Sequence, residues 1–536
     1  MHPRLRILAV RQQRLRDIDP RYFAVSPLGK RHPVPVHGGC SSEDPPFALI
    51  IWNFVLLFSI DDEIEEFLRY FYSMKKNNKK AMRSLARRLL VWPAFMLSLL
   101  VVGRLLFGRD FRLPTTTIVF HEDDGISIPS GSRTNLQQDS GPSGPPAYAA
   151  GMYMAGRRPR NGSACRWYYG LPDVLSYAPS RLTWSPEIGE KSPYRILPFV
   201  LRSATEATDG LPQITLSTHA TADQVYGIVE LARRWEGPLS LAVFAPGLDA
   251  GLAVAQLDRA CRCEPAMYKV SVHLVFPAGR PPALSAKSRV QGDCAASDLQ
   301  WRQAETERQK RSMTYPINVA RNVARTAANT SRVLVSDIEL LPSARLASGF
   351  MDMVRRRPPK VGVIFVVPVF EIESNEPPPA TKRELLAACR AGLAVYFHRF
   401  LCPHCQRFPG LTRWMIRPDP GRVRPLIITK REYPHHRWEP VFIGTREDPL
   451  YTEEMSWEGK QDKMAQMFEM CLLNYRLVVL DGAFLVHTPG IKRKTHKLIS
   501  ATQEFFRPHE RRNARIYQRV TKHLIKQYPI NRRCAQ

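Results

Sequence analysis

The stretch "RVLVSDIELLPS", residues 332–343, decides how this chain is read. A run of Val and Leu suited to a buried strand stops abruptly at two carboxylates, Asp337 and Glu339, one residue apart. In a strand, side chains two positions apart point to the same side, so the sequence predicts that these acids converge and repel unless a cation sits between them. Hard carboxylate oxygens suit Mg²⁺ or Mn²⁺, and a divalent ion bridging two phosphates would explain the pair. An isolated Asp-x-Glu is more often a solvated surface pair. The context is what favours a site: a buried strand before it and an apolar "LLPS" after it.

Working outward, strand and helix signals alternate. "ITLSTHA" (214–220) reads as a strand, and Thr221 followed three residues later by Gln224 reads as a capping-box helix start. "LSLAVFA" is the next strand, "YKVSVHLVF" (268–276) alternates, and "YPINVARNVARTAAN" (315–329) has helical spacing. Further on, "KVGVIFVVPVFEIE" reads as one buried strand and "KMAQMFEMCLLNY" (463–475) as a helix. "RLVVLDGAFLVH" (476–487) reads as two short strands about a hairpin-type turn at Asp481-Gly482. The pattern predicts an α/β domain with a mostly parallel sheet. Ligands of such sheets lie at the carboxyl ends of the strands, where Asp337 and Glu339 fall.

The chain has 536 residues, 44% hydrophobic and 24% charged, enough for a large core. Its net charge of +28 invites an anionic partner. The Lys and Arg residues are scattered, however, and no nucleic-acid-binding motif accompanies them, which disfavours a nucleic-acid binder.

"LLVWPAFMLSLLVVGRLLF", residues 89–107, is an apolar run of spanning length. Seven Lys and Arg residues between Lys75 and Arg88 precede it, and only Arg109 and Arg112 follow closely. The bias predicts a type II signal anchor with a cytoplasmic N-terminus and everything after it across the membrane; a cleaved signal peptide or a buried helix is the alternative. Residues 1–81 read as an upstream extension, because Met82 begins a conventional short tail whose basic flank is 82–88; the apolar run at 47–60 is too short to span. Residues 108–162, rich in Ser, Gly and Pro, read as a flexible stem, and 163–212 as its junction with a domain at 213–534. Asn161 and Asn329 match the N-glycosylation pattern.

A second constellation is "FLVHTPGIK", with His487, Gly490 and Lys492. Gly490 permits close approach of an anion, Lys492 supplies a point charge for phosphate, and His487 is either a second wall of the Asp337 site or a core histidine held by a backbone carbonyl. "CPHC" (402–405) invites a zinc reading, but no second pair follows at finger-like spacing. In an oxidising lumen, a local or longer-range disulfide is favoured.

The blocks "ITLSTHATADQVYGIVELARRWEGPLSLAVFAPG", "YPINVARNVA", "SDIELLPS", "PVFEIE", "FLCPHCQRFPGLTRW", "WEPVFIG", "DGAFLVHTPGIK" and "KQYPINRRC" occur in this order between Ile214 and Cys534. Together they resemble glycosyltransferase family 49. The resemblance implies a Golgi type II membrane enzyme with a GT-A-like fold that uses Mn²⁺, or Mg²⁺, and UDP-glucuronic acid. It implies a β-1,4 transfer of glucuronic acid to xylose on an O-mannosyl glycan of α-dystroglycan. It leaves open a homodimer or a complex with other Golgi enzymes.

Carried over residue by residue, the family's Asp-x-Asp falls on Asp337 and Glu339, and its later metal histidine on His487. Glu for Asp lengthens one arm by a methylene, which puts the tightness and identity of the ion in question. The family's helix motif falls on Tyr315, Pro316, Asn318, Arg321 and Asn322, making Asn318 and Arg321 donor-site candidates, with Thr218 and His219 candidates for the uridine pocket and Lys492 for the diphosphate. Asn318, Arg321, Thr218 and His219 could equally be packing or turn residues. An inverting transfer needs a carboxylate to take the acceptor proton. Asp462, near a position that is Asn in the family, is the first candidate, Glu469 the second, and Glu371 is expected to hold acceptor or neighbouring groups. The competing readings are a catalytically inactive, lectin-like or chaperone-like Golgi protein of the same fold, and a related transferase with another UDP-sugar.

Overall fold

The computed structural model describes residues 165–203, 210–285, 294, 304–356, 358–455, 461–493, 496–529 and 531–534, with no side-chain account for 496–507. All belong to the compact unit Ser140–Gln536. The expected extension, anchor and stem, and the Asn161 sequon, lie outside the described residues. Among the described residues no helix is long and apolar enough to cross a membrane.

The strands, in chain order, are β1 (Arg166–Trp167), β2 (Thr183–Trp184), β3 (Tyr194–Arg202), β4 (Ile214–Thr221), β5 (Leu239–Phe244), β6 (Val270–Pro277), β7 (Arg332–Val335), β8 (Leu340–Pro342), β9 (Val363–Val366), β10 (Val369–Ile372), β11 (Ala394–Tyr396), β12 (Arg424–Thr429), β13 (Phe442–Thr445), β14 (Arg476–Asp481) and β15 (Leu485–His487). An eleven-stranded sheet runs β1-β3-β6-β5-β4-β7-β13-β9-β14-β12, with β2 beside β3; a second sheet runs β11-β10-β15-β8. The run β6-β5-β4-β7 is parallel, as the alternation of strands and helices predicts. The flanks differ from that expectation: β3, β13 and β12 pair antiparallel with β6, β7 and β14, so the sheet is mixed. β3 also shows that the sheet begins upstream of residue 213, with Leu197, Val200 and Leu201 in the main core.

Three local expectations are corrected. "KVGVIFVVPVFEIE" is two strands, because Pro368, which has no N–H to give a ladder, stands between β9 in the large sheet and β10 in the small one. Asp481-Gly482 is not a hairpin turn: the chain passes from β14 in one sheet to β15 in the other. Gly482 has φ +75°, and a Cβ there would lie 2.3 Å from the Arg422 carbonyl oxygen, so only glycine fits the crossing. Thr221 does not cap an α-helix directly; a 3-10 turn, Ala222–Gly227, comes first, and the Thr221 hydroxyl reaches the Gln224 side chain at 3.1 Å.

The helix Ile317–Thr326 positions the site. Val319, Ala320, Val323 and Ala324 pack with Phe244 and Val275 against the sheet. The opposite face carries Asn318, Arg321, Asn322 and Arg325, all buried. That face is polar yet buried because it clamps the loop after β13: Asn322 donates to Tyr451 O (2.8 Å) and Arg325 to Pro449 O (2.7 Å).

Candidate active site

β7 ends at Val335, so Asp337 and Glu339 stand on a turn rather than within a strand; the Leu340 N–H closes it onto Asp337 O at 3.0 Å. The turn sends the two side chains toward different partners, correcting the expectation of strand-like convergence. Asp337 Oδ1 is 3.1 Å from His219 Nε2 and 3.2 Å from Arg321 Nη2, and Oδ2 is 3.8 Å from Lys463 Nζ. Burial would raise its pKa, but Lys463, His219 and Arg321 hold it well below the usual carboxylate range. Glu339 Oε2 is 2.9 Å from His487 Nε2 and 3.6 Å from Lys492 Nζ. Its pKa is also depressed, burial being outweighed by His487 and Lys492.

The small sheet brings His487 to this turn. β15 pairs antiparallel with β8, setting His487 opposite Leu340, and parallel with β10, setting it beside Glu371. Thr488 N–H donates to Glu339 O at 3.0 Å. Nδ1 of His487 lies 3.3 Å from Gly490 O, which leaves Nε2 to face Glu339. His487 is therefore buried, in contact with a backbone carbonyl through Nδ1 and with the Glu339 carboxylate through Nε2.

Imidazole and carboxylate form a donor pair suited to a divalent cation, with Asp337 as the adjacent carboxylate. The ligand atoms of Asp337, Glu339 and His487 do not all fall within 4.8 Å of one another; among the described residues, only Cys402, His404 and Cys405 do. Cys402 and Cys405 are joined in a disulfide, so neither sulfur is a thiolate and the zinc reading fails. Further disulfides join Cys165 to Cys261, Cys263 to Cys294 and Cys471 to Cys534.

Arg321 is the hub. Buried to 2% exposure, it donates from Nη1 to Asp462 Oδ2 (2.7 Å) and Asn318 Oδ1 (3.0 Å), and from Nη2 to Asp337. Asn318 in turn donates to the carbonyl oxygens of Thr452 and Asp462, both at 2.9 Å. His219 bridges Asp337 and the Tyr315 hydroxyl (2.7 Å), its basicity lowered by burial. Thr218, one residue earlier in β4, points to the other face of the sheet, where its buried hydroxyl has no hydrogen-bond partner among the described residues.

The two expected bases are placed differently. Asp462 joins the cluster, but it is 6% exposed and its carboxylate is engaged by Arg321. Glu469, on the helix Met464–Leu472, accepts from the Tyr528 hydroxyl at 2.7 Å, toward the C-terminal segment. Glu371 is fully buried and accepts from the backbone N–H groups of His398 (3.1 Å) and Lys492 (3.3 Å), so it holds the site's neighbours. Lys463, His398 and Glu439 complete the surroundings without having been singled out in the sequence. Lys463 directly follows Asp462, and Glu439 lies in the quoted "WEPVFIG" block; for His398, whose φ is +57° and whose pKa burial and Lys492 push down to about 3, no sequence signal stands out.

In a mixed α/β fold, Asp337, Glu339 and His487 are thus brought together where strands of two sheets end. The sequence model of the family described as "Glycosyl-transferase for dystroglycan" matches residues 213–529, and the chain belongs to that family. It is a glycosyltransferase. Beta-1,4-glucuronyltransferase 1 of Danio rerio is 30% identical over 337 residues, 60% of this chain and 75% of the relative. The Homo sapiens protein of the same name is 29% identical over 358 residues, 64% of this chain and 81% of the relative. The human xylosyl- and glucuronyltransferase LARGE2 is 27% identical over 289 residues, 52% of this chain and 33% of the relative.

Proposed function

We propose that this glycosyltransferase moves glucuronic acid from UDP-glucuronic acid to a xylose-terminated O-mannosyl glycan of the dystroglycan type, in β-1,4 linkage. The observation that carries the reading is the Glu339–His487 pair beside Asp337, inside a match of more than half the chain to relatives named for glucuronyl transfer. Asp337, Glu339 and His487 would hold a divalent cation, Mn²⁺ or Mg²⁺, which when bound supplies positive charge to a departing diphosphate. Lys492, 3.6 Å from Glu339 and 43% exposed in its side chain, reaches the same place as a phosphate-binding cation. Arg321 and Asn318 hold the turn and the Asp462 loop rigid, and His219 orients Asp337. The protein would work in the Golgi lumen, anchored through Leu89–Phe107, with the acceptor glycan on a glycoprotein.

LARGE2 relatives are named for xylosyl as well as glucuronyl transfer, so a second UDP-sugar is the alternative donor. The test is a donor screen on the purified chain with Mn²⁺ and a β-xyloside acceptor. Transfer confined to UDP-glucuronic acid supports the reading. Transfer from UDP-xylose alone replaces the donor, and turnover with no UDP-sugar leaves the inactive, lectin-like reading.

A further inference from the structure

We propose that Glu439 is the general base of the transfer, taking the proton of the acceptor hydroxyl; the inference rests on the function proposed above.

Position comes first. Glu439 lies three residues before β13, which runs antiparallel to β7 with Ile443 opposite Leu334. The lead-in to β13 therefore lies at the end of the sheet where β7 delivers Asp337. Glu439 is firmly mounted there. Its N–H donates to Cys405 O at 2.9 Å, in the turn closed by the Cys402–Cys405 disulfide, and Trp438 before it is buried at 2% exposure. A base must be held in place to be effective, and this backbone is tied at Glu439 N–H and at Trp438, whose N–H donates to His435 O at 3.1 Å.

Availability comes second. The other acids around the site are engaged: Asp462 by Arg321, Asp337 by His219 and Arg321, Glu339 by His487, Glu371 by two backbone N–H groups, and Glu453 by Asn322. The half-buried Glu439 carboxylate makes no hydrogen bond or ion pair among the described residues. An acid left without donors in a partly apolar setting keeps its proton affinity, which is what a base requires. Burial and the charge of Asp462 push its pKa up to about 8, against the opposing pull of Lys463 and Arg321, with Asp337 adding to the rise.

The step balances without a further reactant. The acceptor oxygen attacks the anomeric carbon of the α-linked glucuronosyl group, and a C–O bond forms from the face opposite UDP. The bond from the anomeric carbon to the β-phosphate oxygen breaks, its electron pair leaving with UDP. The acceptor proton passes to the Glu439 carboxylate and from there to water.

The test compares the wild type, Glu439→Gln and Glu439→Asp in the full-length protein, using UDP-glucuronic acid, Mn²⁺ and a β-xyloside. Glu439→Gln should lose about 10²- to 10⁴-fold in kcat while UDP still raises its Tm as in the wild type. Glu439→Asp should keep measurable turnover with the acid limb of its kcat/KM profile displaced. A Glu439→Gln protein within about threefold of wild-type kcat overturns the assignment. Should that variant fail to fold, an unmoved acid limb in Glu439→Asp overturns it instead. A wild type inert with every UDP-sugar sinks the functional reading and the base together, whereas an active wild type with an active Glu439→Gln sinks the base alone.

Discussion

His487 and Glu339, 148 positions apart in the chain, meet with Nε2 and Oε2 at 2.9 Å because β15 and β8 are neighbours in the small sheet. Asp337, two residues from Glu339, is held instead by His219, Arg321 and Lys463 in the large sheet's territory. The site is thus a seam between two sheets, with the turn 336–339 as the link.

That seam predicts unequal consequences for its two acids. Asp337→Asn should lower kcat/KM by about 10²- to 10³-fold, in the range for removing one charge that acts on a transition state. Glu339→Asp should retain activity but require a different Mn²⁺ concentration for half-maximal rate. UDP release measured across a Mn²⁺ titration distinguishes the two, and identical titrations for wild type and Glu339→Asp would remove Glu339 from the cation site.

Arg321 is buried among Asp462, Asn318 and Asp337, so Arg321→Ala should leave the buried Asp462 without its cation and Asp337 with His219 and Lys463 alone. The expected loss is about 3–5 kcal/mol of stability, the usual cost of breaking a buried pair from one side. Arg321→Lys keeps the charge but cannot span three acceptors, and should fall between. Denaturant unfolding of the three proteins provides the measurement, and an Arg321→Ala variant as stable as wild type would contradict the hub.

The pH dependence has two opposite parts. Asp337 and Glu339 have folded pKa values below their ordinary 3.8 and 4.5, so their contribution is present above those values and lost as pH falls through the depressed ones. Glu439 has the reverse sign. With its folded pKa raised from 4.5 to about 8, the folded state binds the extra proton between these limits, and stability falls as pH rises across that window. Metal-free Glu439→Gln should therefore show a flatter stability profile between about pH 5 and 8 than the wild type; parallel profiles would contradict the raised value.

The disulfides should also separate by role. Cys165 and Cys261 lie 96 positions apart in sequence, and replacing both with Ala should cost about 2–5 kcal/mol. Cys402–Cys405 closes a loop of separation 3 and constrains the unfolded chain little, yet it sets the turn from which Cys405 O holds Glu439. The double Ala variant there should keep nearly the same Tm and lose up to about 10²-fold in kcat. A large fall in Tm with unchanged kcat would reverse the assignment.

The sequence alone carried the alternation of β4, β5, β6 and β7 with helices, because each strand is a short apolar run and the helix Ile317–Thr326 has a strong 3.6-residue period. It carried Asp337, Glu339 and His487 as candidates, since each charged or polar group ends an apolar run. What it could not supply was pairing. Nothing local in "KVGVIFVVPVFEIE" says that Pro368 divides two sheets, nor in "RLVVLDGAFLVH" that Gly482 crosses between them, because both depend on contacts with segments far along the chain. Whether Asp462 or Glu439 holds the unengaged carboxylate was equally illegible. Arg321 selects one and leaves the other, and that choice is made by tertiary packing, where hydrogen-bond geometry rather than residue type decides which acid is neutralised.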